Sequence, residues 1–125
     1  MSAIAIVGAG PGLGASLGKV FGAQGFDVAL ISRSKANLDI LVAGLSEKGV
    51  TAEGFAADVA DAASLTAALE AAATRFGRID VLEFSPYAGL VRVNPADVTV
   101  DNLRPAIEEL LYGAVTATQA SCPPC

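Results

Sequence analysis

The sequence predicts an α/β fold with a doubly wound parallel sheet, in the order βαβαβαβα. Three observations predict it. Short apolar runs alternate with segments whose apolar residues recur at helical spacing. Glycines or short polar capping residues punctuate the boundaries. The first run, residues 4–7, passes directly into a glycine-rich turn over residues 8–14.

Each element has its own signal. Residues 4–7, Ile-Ala-Ile-Val, read as a strand buried on both faces. Leu13, Leu17, Val20 and Phe21 then fall at helical spacing, and Gln24-Gly25 offers a stop. Residues 27–31 predict a second buried strand, ending at Ser32-Arg33. Ser34 caps the next helix, with Leu38, Leu41, Val42 and Leu45 as its apolar stripe and Gly49 as its stop. Residues 50–57 predict a third strand, weakened by Gly54 and closed by Asp58-Val59. Asp61 caps a third helix with Leu65, Ala68, Leu69, Ala72 and Phe76 on one face; Gly77 ends it. Residues 79–84 predict a fourth strand, and residues 85–95 an irregular loop. Thr99 or Asn102 caps a last helical segment running to about Ala120. Pro105 deletes a helix hydrogen bond unless it lies in the first turn. The expectation is a short turn over residues 99–103 with a longer helix starting near Pro105, or a kink there.

Alternation of this kind leads to strand order 3-2-1-4, with the ligand crevice at the carboxyl ends of strands 1 and 4. Residues 8–14, 32–35, 58–59 and 85–87 all fall at that edge, and their convergence outweighs any single motif.

Size and charge narrow the function. At 125 residues the chain holds one domain at most. Its 53% apolar share is inflated by alanine, so large core side chains are fewer than that figure suggests. A net charge of −5 argues against nucleic acid or an anionic membrane surface as the main partner. Glycines and Pro11 punctuate the uncharged residues 1–18, and no basic region precedes them, so neither a signal nor a membrane segment is read. A cytoplasmic chain is expected. Cys122 and Cys125 form a C-x-x-C, but the sequence has no histidine and no second cysteine pair to complete a zinc site. Residues 121–125 are expected to be an irregular tail.

The glycine turn carries the chemistry. Gly8, Gly12 and Gly14 fit G-x-x-x-G-x-G. A shifted reading, Gly10, Gly12 and Ala15, fits G-x-G-x-x-A but leaves two residues between strand and motif; the first is preferred because Gly8 follows Val7. A P-loop is excluded, because Gly18-Lys19 precedes Val20 and position 13 is Leu13. A helix N-terminus presents unpaired N–H groups and partial positive charge to an anion, and glycine lets a pyrophosphate approach the main chain. The competing reading is a tight turn that binds nothing, at odds with the entropy of ordering so many glycines. A carboxylate at the end of the second strand favours NAD, and a basic residue favours a 2′-phosphate. Here stand Ser32 and Arg33 with Lys35 nearby, while Asp27 lies at the wrong end of the strand. NADP is therefore expected over NAD, and FAD is disfavoured on the same ground.

Gly8, Gly12 and Gly14, Arg33 after the second strand, Asp58-Val59 after the third, and Ile79-Asp80-Val81-Leu82 entering the fourth together resemble the short-chain dehydrogenase/reductase family. The likeness runs to about Gln119-Ala120. It implies a Rossmann-like, NAD(P)-binding domain over residues 1–120, incomplete relative to the family. It further implies that Gly8, Pro11, Gly12, Leu13 and Gly14 line the pyrophosphate and that Arg33 meets the 2′-phosphate. Asp58 and Val59 would lie against the adenine, with the carboxylate facing its amino group. Ser85 and Pro86 would support the nicotinamide ribose.

Three departures stand out. The family's Asn-Asn-Ala-Gly is replaced around residues 84–87, Phe-Ser-Pro-Tyr. Its helix asparagine falls on Leu110 when Gly113 is the anchor. Its catalytic Tyr-x-x-x-Lys has no match, because Tyr87 is followed four later by Val91 and Tyr112 by Thr116. Without histidine there is no Ser-His or Cys-His pair, and Asp58, Asp61, Asp80 and Glu83 read as strand-end and capping residues.

Three functions follow. The first is an NADP-linked oxidoreductase exchanging hydride with a carbonyl or alcohol, of which this chain is the cofactor half; a small-molecule substrate enters only if the chain is completed. The second is a non-catalytic NADP-binding module or sensor. The third is an inactive fragment. Self-association is expected through the last helix, at Leu103, Ile107, Leu110, Leu111 and Val115.

Overall fold

The computed structural model describes residues 2–86 and 93–122. Four parallel strands, β1 (Ala3–Val7), β2 (Asp27–Ser32), β3 (Ala52–Ala56) and β4 (Val81–Phe84), form one sheet in the order β3-β2-β1-β4. The order is the expected one. In register, Val7 lies beside Ile31 on one side and Phe84 on the other, so the carboxyl ends of β1, β2 and β4 share an edge.

Helices cover both faces, which is why β1 and the middle of β2 read as unbroken apolar runs. Helices α1 (Leu13–Ala23) and α2 (Lys35–Ser46) lie over one face, where Ile4, Ile6, Val28 and Leu30 pack with Leu38, Leu45 and Val50. Helices α3 (Ala62–Phe76) and, further on, α5 (Gly113–Ser121) lie over the other, where Val7 and Ile31 pack with Leu65, Leu69, Phe76 and Ala117. Ser34 and Asp61 are N-caps, accepting from the Asn37 and Ser64 N–H groups. All five residues of the expected α3 stripe are buried. Gly25, Gly49 and Gly77 close α1, α2 and α3 with positive φ.

The docking face of α1 corrects the reading of its sequence. Leu13 and Val20 are 60% and 62% exposed. The helix meets the core through Gly14, Gly18 and Gly22, with Leu17 and Phe21 packed beside them. A Cβ on Gly18 would lie 3.1 Å from Leu45 Cδ1, and one on Gly22 only 2.5 Å from a Val50 methyl. Residues three and four apart share a helix face, so these glycines form a groove that receives the bulky residues of its neighbours. Gly54, read as a weakness in β3, plays the same part: a Cβ there would sit 2.8 Å from Leu38 Cβ.

Two strands are shorter than expected. β3 starts at Ala52, because Val50 turns into the core as a side-chain contact, and β4 starts at Val81. The last segment also differs. Thr99 and Asn102 together make a capping box for α4 (Val100–Ala106), which runs through Pro105 and continues as a π-helical turn, Ile107–Tyr112, into α5. Pro105 is therefore neither at a helix start nor the first residue of a new helix. The wider turn carries the chain past it, and the Gly113 N–H donates to Glu108, five residues back. The expected loop over residues 85–95 is described only at Ser85, Pro86 and residues 93–95, where a 3₁₀ turn, Pro95–Asp97, begins. Tyr87 and Val91, and Cys125 of the C-x-x-C, lie outside the described residues.

Candidate functional site

Gly8 sets the turn after β1. Its φ is +90°, a region glycine enters freely. A Cβ there would fall 2.5 Å from the Ser85 carbonyl oxygen and 2.6 Å from Pro86 Cα. The turn and the chain leaving β4 thus pass backbone against backbone. The Ser85 N–H donates to the Val7 carbonyl at 2.9 Å, and the Gly8 and Ala9 N–H groups both donate to the Ile31 carbonyl, at 2.9 and 3.0 Å. The turn is tied to both neighbours of β1, at the point where strand order reverses and open α/β sheets hold their ligands.

The start of α1 is bare. Gly12 stands at the N-cap, no side chain caps the helix, and the first turn carries no acid. Among the described residues, a Cβ on Gly12 would meet nothing within 4 Å beyond its chain neighbours. Among the described residues, no backbone acceptor takes the Gly12, Leu13 or Gly14 N–H. An anion arriving here meets donors and no obstructing side chain. Gly14 faces inward instead, its missing Cβ 3.0 Å from Ala9 Cα, which lets the helix seat under the turn.

A cleft of about 400 Å³ opens over this corner. The turn supplies Gly8, Ala9, Gly10 and Pro11. The end of β2 and the first turn of α2 supply Ser32, Arg33, Ser34 and Asn37. Ala57 and Val59 come from beyond β3, Pro86 from beyond β4, and Glu109 from the π-helical turn. The Ser34 N–H donates to Ser32 Oγ at 3.3 Å, which holds the Arg33 bend. Lys35 pairs with Asp39 at 3.6 Å on the surface, so Arg33 is the cation that lines the cleft. A larger hollow of about 720 Å³ lies at the far end of the sheet, beside Gly77, Arg78, Asp80 and Ser121. We place the candidate site in the smaller one, because only there do strand carboxyl ends and free helix donors converge.

The residues singled out from sequence divide accordingly. Gly8, Pro11, Ser32, Arg33, Val59 and Pro86 surround the cleft. Gly12, Leu13 and Gly14 form the adjoining helix start. Ser85 turns its carbonyl toward Gly8. Asp58, between Ala57 and Val59 in the chain, is held in a turn: its Oδ1 accepts from the Ala60 N–H at 2.9 Å, and its own N–H donates to Ser64 Oγ at 3.2 Å. Sequence reasoning missed Asn37, Ala57 and Glu109. Asn37 and Ala57 lie beside residues already singled out. Glu109 carries no local signal, because only the path of the last helix brings it to this edge.

A carboxyl with a lowered pKa lies away from the cleft. The Ala3 N–H, donating to Asp80 Oδ2 at 2.8 Å, and the adjacent Arg78 guanidinium hold the Asp80 carboxyl below its usual range. Asp80 fastens the starts of β4 and β1 together. Among the described residues there is no cluster of metal-binding side chains, and no helix is long and apolar enough to cross a membrane.

Comparison with known proteins agrees with this geometry. The chain is 39% identical over 92 residues to D-threitol dehydrogenase of Mycolicibacterium smegmatis, covering 74% of this chain and 35% of that protein. A short-chain dehydrogenase of Burkholderia cenocepacia, solved in complex with NADP, superposes with a TM-score of 0.83 at 28% identity, covering 96% of this chain and 49% of that one. L-sorbose reductase of Gluconobacter frateurii, solved with NADPH and L-sorbose, has the same fold: TM-score 0.88, 23% identity, 96% of this chain and 46% of that one. The chain thus spans half or less of the length of these relatives. The short chain dehydrogenase family model matches residues 2–124. With its sheet order and glycine turn, this chain belongs to the short-chain dehydrogenase family.

Proposed function

We propose that this chain is the NADP-binding half of a short-chain dehydrogenase/reductase that exchanges hydride with a carbonyl or alcohol, with residues 1–120 as the cofactor-binding unit. One observation carries the reading: Arg33 and Ser32 share a cleft with the bare turn before α1. The relatives solved with NADPH and NADP support it. The nicotinamide, when bound, supplies or accepts the hydride. This chain's residues bind and orient. Gly8, Pro11, Gly12, Leu13 and Gly14 leave the main chain open to the diphosphate. The Arg33 guanidinium, a planar fork of donors, suits a 2′-phosphate. Val59 flanks the base, and Ser85 and Pro86 face the nicotinamide ribose.

The proton-transferring pair lies elsewhere in this reading, because neither Tyr87 nor Tyr112 has a lysine four residues on. That same fact favours a second reading, a dinucleotide-binding module without chemistry. Leu103, Leu110, Leu111 and Val115 of the last helical segment are each about half exposed, and we assign this surface to self-association.

Titration calorimetry with NADP and NAD tests the assignment. NADP binds more tightly, and Arg33→Glu narrows or inverts the preference. An unchanged ratio removes Arg33 from the ribose. Carbonyl-dependent NADPH oxidation by the purified chain would overturn the assignment of the acid/base groups to other residues.

A further inference from the structure

Two strands border the sheet, β3 and β4, and an edge strand offers unpaired N–H and C=O groups to any passing strand. β3 is interrupted by Gly54 and carries Glu53 in an exposed pair with Arg75. β4 reads Val81-Leu82-Glu83-Phe84, so Glu83 is its one polar residue. The Ser85 N–H donates to the Val7 carbonyl, and N–H direction alternates along a strand. Val81 and Glu83 therefore also turn their N–H groups toward β1, while Leu82 and Phe84 turn theirs outward.

Side chains alternate as well. Leu82 and Phe84 pack into the core under α3 and α5, and Val81 packs into the core under α1 and α2. Glu83 shares the Val81 face. Among the described residues the helix packed on β4 is α5, which covers the opposite face. The Glu83 side chain thus has the sheet on one flank and the open edge on the other. Its Oε2 is shut off from water without a hydrogen-bond partner, and the residue as a whole is half-buried. Among the described residues no ion pair engages it, whereas Glu53, Asp80 and Asp101 are all paired with arginines. The hydration this carboxylate keeps comes from the open side of the strand.

We infer that Glu83 keeps the β4 edge unpaired. A strand added beside β4 covers the side from which the carboxylate is hydrated. It buries a charge with no counter-ion, a cost that outweighs the few backbone hydrogen bonds gained. The nearest source of such a strand is a second copy of this chain, whose β4 brings a second Glu83 and no cation. This role is separate from the self-association assigned to the last helical segment, and it needs no dinucleotide.

Hydrogen exchange of single amides, followed by NMR at low and high concentration of the 125-residue chain, tests it. In the unaltered chain, exchange at Leu82 and Phe84 is independent of concentration. In Glu83→Val it slows by about tenfold or more at high concentration, as those N–H groups find carbonyl partners. Glu83→Lys, which keeps a charge on that face, behaves as the unaltered chain. Should Glu83→Val not fold, Glu83→Gln, of the same shape without the charge, takes its place and slows in the same sense. Concentration-dependent protection of Leu82 and Phe84 in the unaltered chain overturns the inference. So does a folded neutral variant whose edge amides exchange as in the unaltered chain. Association of that variant with Leu82 and Phe84 unaffected puts the contact elsewhere, and overturns it too. Equal slowing in Glu83→Lys makes something other than charge the determinant, and again overturns it.

Discussion

Gly8 and Pro86 meet backbone to backbone: a Cβ built on Gly8 would stand 2.6 Å from the Pro86 nitrogen and Cα. This contact joins the turn after β1 to the chain leaving β4, and it defines the floor of the cleft. Two separate demands fall on position 8, a positive φ and the absence of a side chain.

The two demands can be separated by comparison with Gly25. Gly25 has nearly the same φ, +89°, but open space around its missing Cβ. Gly25→Ala should cost about 1–2 kcal/mol, the conformational penalty alone. Gly8→Ala should cost about 1–3 kcal/mol more, because the methyl must displace backbone. Urea denaturation measures both. Equal losses would mean that the Gly8 contact relaxes without penalty.

Packing of α1 yields the second prediction. Alanine is the better helix former by about 1 kcal/mol, so Gly22→Ala would stabilise an exposed helix. Here the new methyl would collide with Val50. Gly22→Ala should be net destabilising by about 1–2 kcal/mol. In the Val50→Ala background the same change should become neutral or stabilising. A double-mutant cycle on thermal or urea unfolding reads the coupling. Additive effects would contradict the groove.

Acid sensitivity follows from Asp80. Its carboxyl is held below the ordinary value chiefly by the Ala3 N–H, with help from Arg78. A lowered folded value means that the charged group stabilises the fold fully above the unfolded carboxylate value of about 3.9, and that this contribution fades as pH falls through the lowered one. Asp80→Asn should therefore be less stable than the unaltered chain at pH 7, and the gap should shrink below about pH 4. A gap that persists undiminished at pH 2 would show that charge on Asp80 is not what joins β4 to β1.

Much of the fold was legible because its determinants are local. Asp61 and the stripe from Leu65 to Phe76 lie within one helix, and each works as read. Ser34 likewise caps its own helix. What escaped depends on partners distant in sequence. Leu13 and Val20 kept the helical period yet face outward, because Leu45 and Val50 fill the space that glycines leave. The π-helical turn after Pro105 depends on how Gly113 beds against Val59 and Phe84. Of the candidate site, the glycine turn and Ser32-Arg33 were readable as a contiguous motif beside strand ends. Glu109 was not, because nothing in its neighbouring residues marks it, and only tertiary packing brings it to the cleft.

The central claim is that a dinucleotide's diphosphate lies over the bare main chain at the start of α1, and Gly12→Val tests it most directly. Among the described residues, no atom beyond the chain neighbours lies within 4 Å of a Cβ built at position 12, so a side chain there extends into the ligand's approach. Calorimetric titration with NADP should show binding to the unaltered chain and a loss of at least about a hundredfold in Gly12→Val, as expected when a branched side chain holds the phosphates off the helix donors. Equal affinity in the two, with both folded by circular dichroism, would contradict the account.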